Sequence, residues 1–380
     1  MSSVPAGPLI PAQKRATRIA FFSAGFITAA WAAIIPFIKI NLAIGDGTMG
    51  LMLLCLGAGA LVGMPLAGKF SSQLGCKPVL VASMACFSLL YPALIWLDSV
   101  TLLAVFLVLF GLCVGTTDCA MNIQGVAVEK EADKPLMSGF HGFYSLGGMS
   151  GAILMTAILS SGVPVELASA AGAVMSAAFL LAGINGFRTG KSQEPAAFFA
   201  LPKGVVVLIG IVCSIVFLAE GTVLDWSGIY LTEYRDVNPE NAGLGVACFS
   251  VAMTLGRLAG DKFTSILGPK MMVLGGGGIA ITGFVLSLLV PLPVAALTGY
   301  VLIGLGCSNI VPIMFSATGK QKIMSEASAV TAVSTLGYVG VLAGPALVGF
   351  GAQVYGLPAA LGVIAVLLCI ATALAGRVRV

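Results

Sequence analysis

Three acidic residues stand inside long apolar stretches of this chain: Asp118, Glu220 and Asp225. An ionisable group within a bilayer costs at least about 2.5–3.5 kcal/mol on insertion scales, so it must face a bundle interior or a wet cavity. The chemistry open to such a carboxyl is proton uptake and release, or the binding of a cation or a hydroxyl. Asp118 lies in GLCVGTTDCAMNIQG, with Asn122 four residues on. On a helix that spacing puts acid and amide on one face. The pair suits hydroxyl or ammonium groups; its structural alternative is an interhelical hydrogen bond. Glu220 and Asp225 are five residues apart, about 140° around a helix, so they do not share a face. Gly221 and Gly228 allow that helix to break, and broken helices line many transporter sites. Glu220 is the deeper of the two and the better proton-coupling candidate. Asp225 reads equally as a helix cap or an outer salt bridge. Trp226 beside it could stack on a sugar ring or a cation, or simply pack.

His141 is the single histidine, with Tyr144 and Ser145 at helical-neighbour spacing. Its titration near neutral pH suits a proton relay; the plainer reading is a packing residue. No metal site is expected, since there is no second histidine. The nine cysteines contain no Cys-x-x-Cys pair and read as small buried hydrophobes. Asn309, Thr331, Thr335, Tyr338 and Trp31 are further polar groups able to line a cavity. Pro312 is expected to kink its helix, and Lys39 to snorkel to a surface. No phosphate-binding Gly-x-x-x-x-Gly-Lys-Ser/Thr and no Gly-x-Ser-x-Gly elbow occurs. Neither a cofactor nor an enzymatic role is expected.

The elements that must position these residues follow from composition. Of 380 residues, 58% are hydrophobic and only 9% charged. A soluble domain carries about 25% charged residues. A soluble enzyme, a disordered chain and a nucleic-acid binder are therefore excluded. A membrane helix needs about 20 mostly apolar residues. Twelve such runs lie near 19–39, 48–68, 78–97, 100–125, 137–161, 164–186, 204–231, 241–260, 271–290, 292–318, 327–350 and 355–376. With the N-terminus inside, 17 of the 19 Lys and Arg fall on the inner side, and only Lys39 and Arg235 outside. That asymmetry meets the positive-inside rule. It predicts a multi-pass protein of a bacterial inner membrane with both termini cytoplasmic. The longest polar gap, FRTGKSQEPAAFFALPK near 187–203, divides six spans from six. The expected organisation is a bundle over 1–187, a cytoplasmic linker over 188–203 and a bundle over 204–380.

The halves also repeat. LAGKFSSQLGCKPVL from Leu66 aligns with LAGDKFTSILGPKMMVL from Leu258, with Asp261 as an extra residue and a slip after the glycine. Ser145-Leu146-Gly147 mirrors Thr335-Leu336-Gly337, and Trp31 mirrors Trp226. Parallel six-helix repeats suggest a secondary transporter.

On these features the whole chain resembles the major facilitator superfamily. The family's loop signature between spans two and three is matched by Gly63, Lys69, Gly75 and Lys77, with Gly68 where the family has an acid. The second copy keeps the acid in Gly256-Arg257-Leu258-Ala259-Gly260-Asp261-Lys262. The resemblance implies that Lys69, Lys77, Arg257, Asp261 and Lys262 belong to cytoplasmic gating loops. Ala219-Glu220-Gly221 with Asp225-Trp226, the run His141 to Gly147, and Asp118 with Asn122 resemble the YbjJ-like inner-membrane facilitators, near the L-fucose permease branch.

The resulting expectation is an all-α integral membrane protein: twelve transmembrane helices in two pseudo-symmetric bundles, the major facilitator fold. It would be a monomeric secondary transporter in the lipid bilayer, with a small-molecule substrate and protons as partners. The leading function is proton-coupled uptake of a small, sugar-like polar solute. Asp118, Glu220, Asp225 and His141 would carry protons. Asn122, Trp31, Tyr144, Trp226, Asn309 and Thr335 would bind substrate. The alternatives are a proton-antiport exporter of drugs or metabolites and a non-transporting membrane sensor.

Overall fold

The computed structural model describes residues 9–191 and 201–378, which include the two ends of the expected linker but not its middle. The helices of the first half are α1 (Leu9–Asn41), α2 (Asp46–Leu74), α3 (Cys76–Ala93), α4 (Val100–Ala132), α5 (Met137–Ser160) and α6 (Val165–Gly183). Those of the second half are α7 (Val205–Tyr234), α8 (Leu244–Leu267), α9 (Pro269–Leu289), α10 (Pro293–Cys307), α11 (Ile310–Lys320), α12 (Glu326–Tyr355) and α13 (Leu357–Ala375). Twelve segments are long and apolar enough to cross a membrane, with α10 and α11 together making the tenth. All twelve expected runs are present, and no strand occurs among the described residues. Several helices overrun the apolar core. The 33 residues of α1 and of α4 span about 50 Å, against about 30 Å of hydrocarbon. Helix therefore replaces loop at many of the polar ends.

The chain divides into two compact units. Unit 1 comprises Met1–Asp133, Phe143–Ala200 and Ser325–Thr331; unit 2 comprises Lys134–Gly142, Leu201–Met324 and Ala332–Val380. The first turns of α5 thus belong to unit 2, and the first turns of α12 to unit 1.

Within each unit the helices meet through small residues. A Cβ on Gly111 would collide with the Leu56 carbonyl of α2, and one on Gly304 with the Phe249 carbonyl of α8. Such close backbone approach is how helices associate where lipid leaves no hydrophobic driving force between them. These two contacts are one contact repeated 193 residues later. The connections repeat as well. Gly75 is the single residue between α2 and α3, and Gly268 between α8 and α9, at φ 86° and 80°. Each amide N–H returns to its own helix, to the Ser71 carbonyl at 3.0 Å and the Thr264 carbonyl at 2.9 Å. With ψ at 165° and 153°, both occupy a region essentially restricted to glycine. This register corrects the sequence alignment: the repeat runs without a gap at an offset of 193, Asp261 is no insertion, and it stands where Gly68 does. At the same offset Gly147 corresponds to Gly340, not to Gly337; Gly147 abuts the Phe22 carbonyl and Gly340 the carbonyl of Ser214, one residue short of that offset.

Polar anchors complete each unit. In unit 1, Arg188 donates to Gln13 Oε1 at 2.9 Å and to Glu131 Oε1 at 2.6 Å, while its carbonyl accepts from the Lys77 amide at 2.7 Å. The start of the expected linker is therefore bound to α1, α3 and α4. In unit 2, Arg235 is buried at the end of α7. It donates to Tyr230 Oη and to the Ser287 and Leu288 carbonyls, at 2.7 and 2.9 Å, and its guanidinium lies over the Tyr230 ring. It satisfies carbonyls that the last turn of α9 cannot bond within the helix.

Candidate functional site

In unit 2 the site begins with a proline. Pro312 has no N–H, so the carbonyl of Ser308 four residues earlier has no helical donor. The tenth span opens there, at Ser308–Asn309, with α10 ending before it and Pro312 lying in the first turn of α11. The expected disruption of this span is present, displaced by one turn because a proline releases the carbonyl before it. Arg257 of α8 takes that carbonyl: its Nε donates to Ser308 O at 3.3 Å. One terminal nitrogen of the same guanidinium faces both oxygens of Glu220 on α7, at 3.2 and 3.4 Å. Both side chains are buried, with Arg257 6% and Glu220 9% exposed. Removing one partner of such a pair strands a charge and costs about 3–5 kcal/mol.

Asn309 fastens the opening to α8. Its amide donates to the Gly256 carbonyl at 3.1 Å and to Ser308 Oγ at 2.8 Å. A Cβ at Gly260 would strike this amide and the Ser138 side chain, so the close approach needs glycine there. His141 lies in the same unit, its ring 5.8 Å from that of Phe315 and within electrostatic reach of Arg257. Asp261 Oδ2 accepts the Gly139 N–H at 3.0 Å, at the start of α5.

Unit 1 repeats part of this plan. Thr116 Oγ1 donates to the Gly63 carbonyl at 3.1 Å, the counterpart of the Asn309–Gly256 bond. The ion pair is not repeated, since buried Met64 stands in the register of Arg257. The acid of unit 1 is instead Asp118 on α4. It has no hydrogen-bond or ion-pair partner among the described residues. Asn122 does share its face, but its amide turns inward and donates to the Asp118 backbone carbonyl at 2.9 Å. The two side chains are thus not bonded to each other. Trp31 is buried with its ring 6.0 Å from Phe110, a packing role. Tyr144 is half-buried on α5.

Several expectations need revision. Arg257, Asp261 and Lys262 are not in a loop but within α8; Lys69 is in α2 and Lys77 in the first turn of α3. The overrun of helices past the apolar core leaves only Gly75 and Gly268 as connections. The α7 helix is continuous through Gly221 and Gly228, and the break falls in the tenth span instead. Asp225 is exposed and Trp226 half-buried. They do not join Glu220, as the five-residue spacing requires. Trp226 is no counterpart of Trp31: in the repeat register it pairs with neither its position nor its ring contact. Thr335 is half-buried on α12 in unit 2. Sequence reasoning missed Arg257 as the partner of Glu220. The available signal was an arginine inside an apolar run, with a proline four residues after a serine in another span.

Comparison with known proteins completes the assignment. The family model described as Major Facilitator Superfamily matches residues 18–334. An uncharacterized MFS-type transporter of Yersinia pestis is 41% identical over 357 residues, covering 94% of this chain and 93% of that protein. Membrane protein MosC of Rhizobium meliloti is 32% identical over 90% of this chain and 84% of its own length. Among solved structures, the transporter FucP in its outward conformation matches with TM-score 0.82 at 15% identity, over 98% of this chain and 99% of that one. The proton:xylose symporter XylE matches with TM-score 0.78 at 12% identity, over 97% and 95%. Twelve apolar helices, a 193-residue repeat in their contacts and these relatives together establish that the chain belongs to the Major Facilitator Superfamily of membrane transporters.

Proposed function

We propose that this protein is a proton-coupled secondary transporter that takes up a small, sugar-like polar solute by alternating access. Asp118 and Glu220 are the groups that take the proton. The two six-helix bundles, residues 1–187 and 204–380, are the moving parts, joined by the linker at 188–203. The excess of Lys and Arg in alternate loops supports an inner-membrane protein with cytoplasmic termini.

The observation that carries this reading is the Glu220–Arg257 pair at the opened tenth span. Among the described residues, Arg257 is the cation that Glu220 meets, with one terminal nitrogen 3.2 and 3.4 Å from its two oxygens. Adding one proton to the carboxylate removes its ionic attraction to the guanidinium, which keeps its bond to the Ser308 carbonyl. Proton binding is thereby tied to the contact between α7, α8 and the helix break. FucP, a fucose:proton symporter, and XylE, a proton:xylose symporter, share the fold and support the choice of solute and coupling ion.

The test is uptake into proteoliposomes driven by an imposed pH gradient, with L-fucose, D-xylose and related pentoses and hexoses as radiolabelled solutes. Gradient-dependent accumulation that falls at least about tenfold in Asp118→Asn and in Glu220→Gln supports the reading. Full gradient-driven uptake by both variants overturns it.

A further inference from the structure

We infer that Asp118 and Asn122 form a binding site for the protonated amine of a polyhydroxylated solute. The inference shares the transporter reading's choice of Asp118 but gives it the cation of the ligand in place of the driving proton.

Consider the polar run of α4. Thr116 is bonded to the Gly63 carbonyl of α2, and Thr117 to Ser83 Oγ of α3 at 2.8 Å. Cys119 Sγ lies 3.4 Å from Thr331 Oγ1. Gln124 is used twice, donating to Thr17 Oγ1 at 2.9 Å and accepting the Arg188 N–H at 3.1 Å. Each of these groups ties α4 to a neighbouring element. Asp118 and the Asn122 carbonyl are the exceptions.

The orientation of Asn122 decides what the exception can bind. Its Nδ2 donates to the backbone carbonyl four residues earlier. The reverse orientation would set two oxygens against each other, so Oδ1 is the end left without a partner. That oxygen is buried with no partner, in a residue 1% exposed. The free valences on this face are therefore all acceptors: one carboxylate and one amide oxygen. A buried acceptor without a donor costs about 1–3 kcal/mol, and a carboxylate within the membrane calls for a partner even where, as at Asp118, it is half-buried. Glu220 has its cation within the protein, in Arg257. Asp118 has none, so the missing cation belongs to the ligand.

The ligand that completes this face offers only donors and carries a positive charge. Residues four apart on a helix hold their Cβ atoms about 5–6 Å apart. An ammonium group on Asp118 and a neighbouring hydroxyl of the same small ring on Asn122 match that spacing. A sugar acid is repelled, and a neutral sugar leaves the charge uncompensated. With the ammonium on Asp118, the driving proton is left to Glu220.

The experiment is ligand binding to the purified full chain in mild detergent, at one fixed pH below the amine's own pKa. The probes are D-glucosamine, N-acetyl-D-glucosamine, D-glucose and D-gluconate. D-glucosamine is expected to bind at least about tenfold more tightly than the other three. Asp118→Asn is expected to abolish the preference, with its ligand-free melting temperature reporting that it folds. Asp118→Glu, which keeps the charge, retains a preference for the amine. Equal binding of D-glucose, a preference that survives Asp118→Asn, or no response to D-glucosamine overturns the inference. Proton-driven uptake of a neutral sugar would leave the transporter reading intact and remove this one. Asp118-dependent glucosamine binding without flux would do the reverse.

Discussion

Arg257 occupies the Ser308 carbonyl, which Pro312 leaves without a helical donor, at 3.3 Å. A missing N–H in one span is thus compensated by a cation from another. The same cation is held on its far side by Glu220. An arginine inside the membrane is tolerated here because helix geometry has created an acceptor for it and a carboxylate balances its charge.

The ion pair should behave as a unit. Glu220→Gln and Arg257→Gln are each expected to lower stability by about 3–5 kcal/mol, because each strands a buried charge. The double variant should lose less than the sum, with a coupling of at least about 1 kcal/mol. Thermal unfolding of the four proteins in detergent measures this. The exposed Lys130–Glu326 pair, at 3.3 Å in unit 1, should yield no more than about 1 kcal/mol in the same assay.

Pro312→Ala restores an N–H that can claim the Ser308 carbonyl. The tenth span should close its gap and Arg257 should lose an acceptor. The expected result is a folded protein with transport reduced at least tenfold, together with slowed amide exchange across Ser308–Pro312. Unchanged exchange there would show that proline is not the cause of the opening.

Gly75→Ala and Gly268→Ala should each cost about 1–3 kcal/mol, because both backbones lie where a side chain is strained. Gly221→Ala supplies the contrast. It lies mid-helix at ordinary dihedrals with no atom within 4 Å of an added Cβ, so it should be neutral or stabilising by up to about 1 kcal/mol. Melting temperatures of the three variants decide the matter.

Arg235→Met removes the donors to the Ser287 and Leu288 carbonyls. A loss of about 2 kcal/mol is expected, from a helix C-terminus that loses both its hydrogen bonds and its cation. Amide exchange at the end of α9 should rise while that of α2 stays constant.

Much of the candidate site was legible and part was not. Asp118, Asn122 and Glu220 stood out because polar residues in apolar runs are expensive and therefore conspicuous. The five-residue spacing correctly separated Asp225 from Glu220. Arg257 was misplaced because charges near a basic loop look like loop. Only the length of α8 shows that it continues past the apolar stretch. The partnership of Glu220 with Arg257 joins residues 37 apart in the chain, and no local pattern encodes which of several helices faces which.

Sequence alone determined the class of molecule, the twelve spans, the duplication and the presence of acids within the membrane. These follow from burial of apolar surface and from charge cost, which are properties of single residues and short windows. The tertiary structure decided the register of the repeat, the place of the helix break and the partner of each charge. Gly75 and Gly268 align the two copies because both backbones adopt a conformation restricted to glycine. Glu220 meets a guanidinium in unit 2, whereas unit 1 has Met64 at the register position of Arg257 and carries its acid, Asp118, on α4 and not at the register position of Glu220, which falls on α1. Such differences depend on packing between distant helices, where a single substitution changes what a neighbouring charge can find.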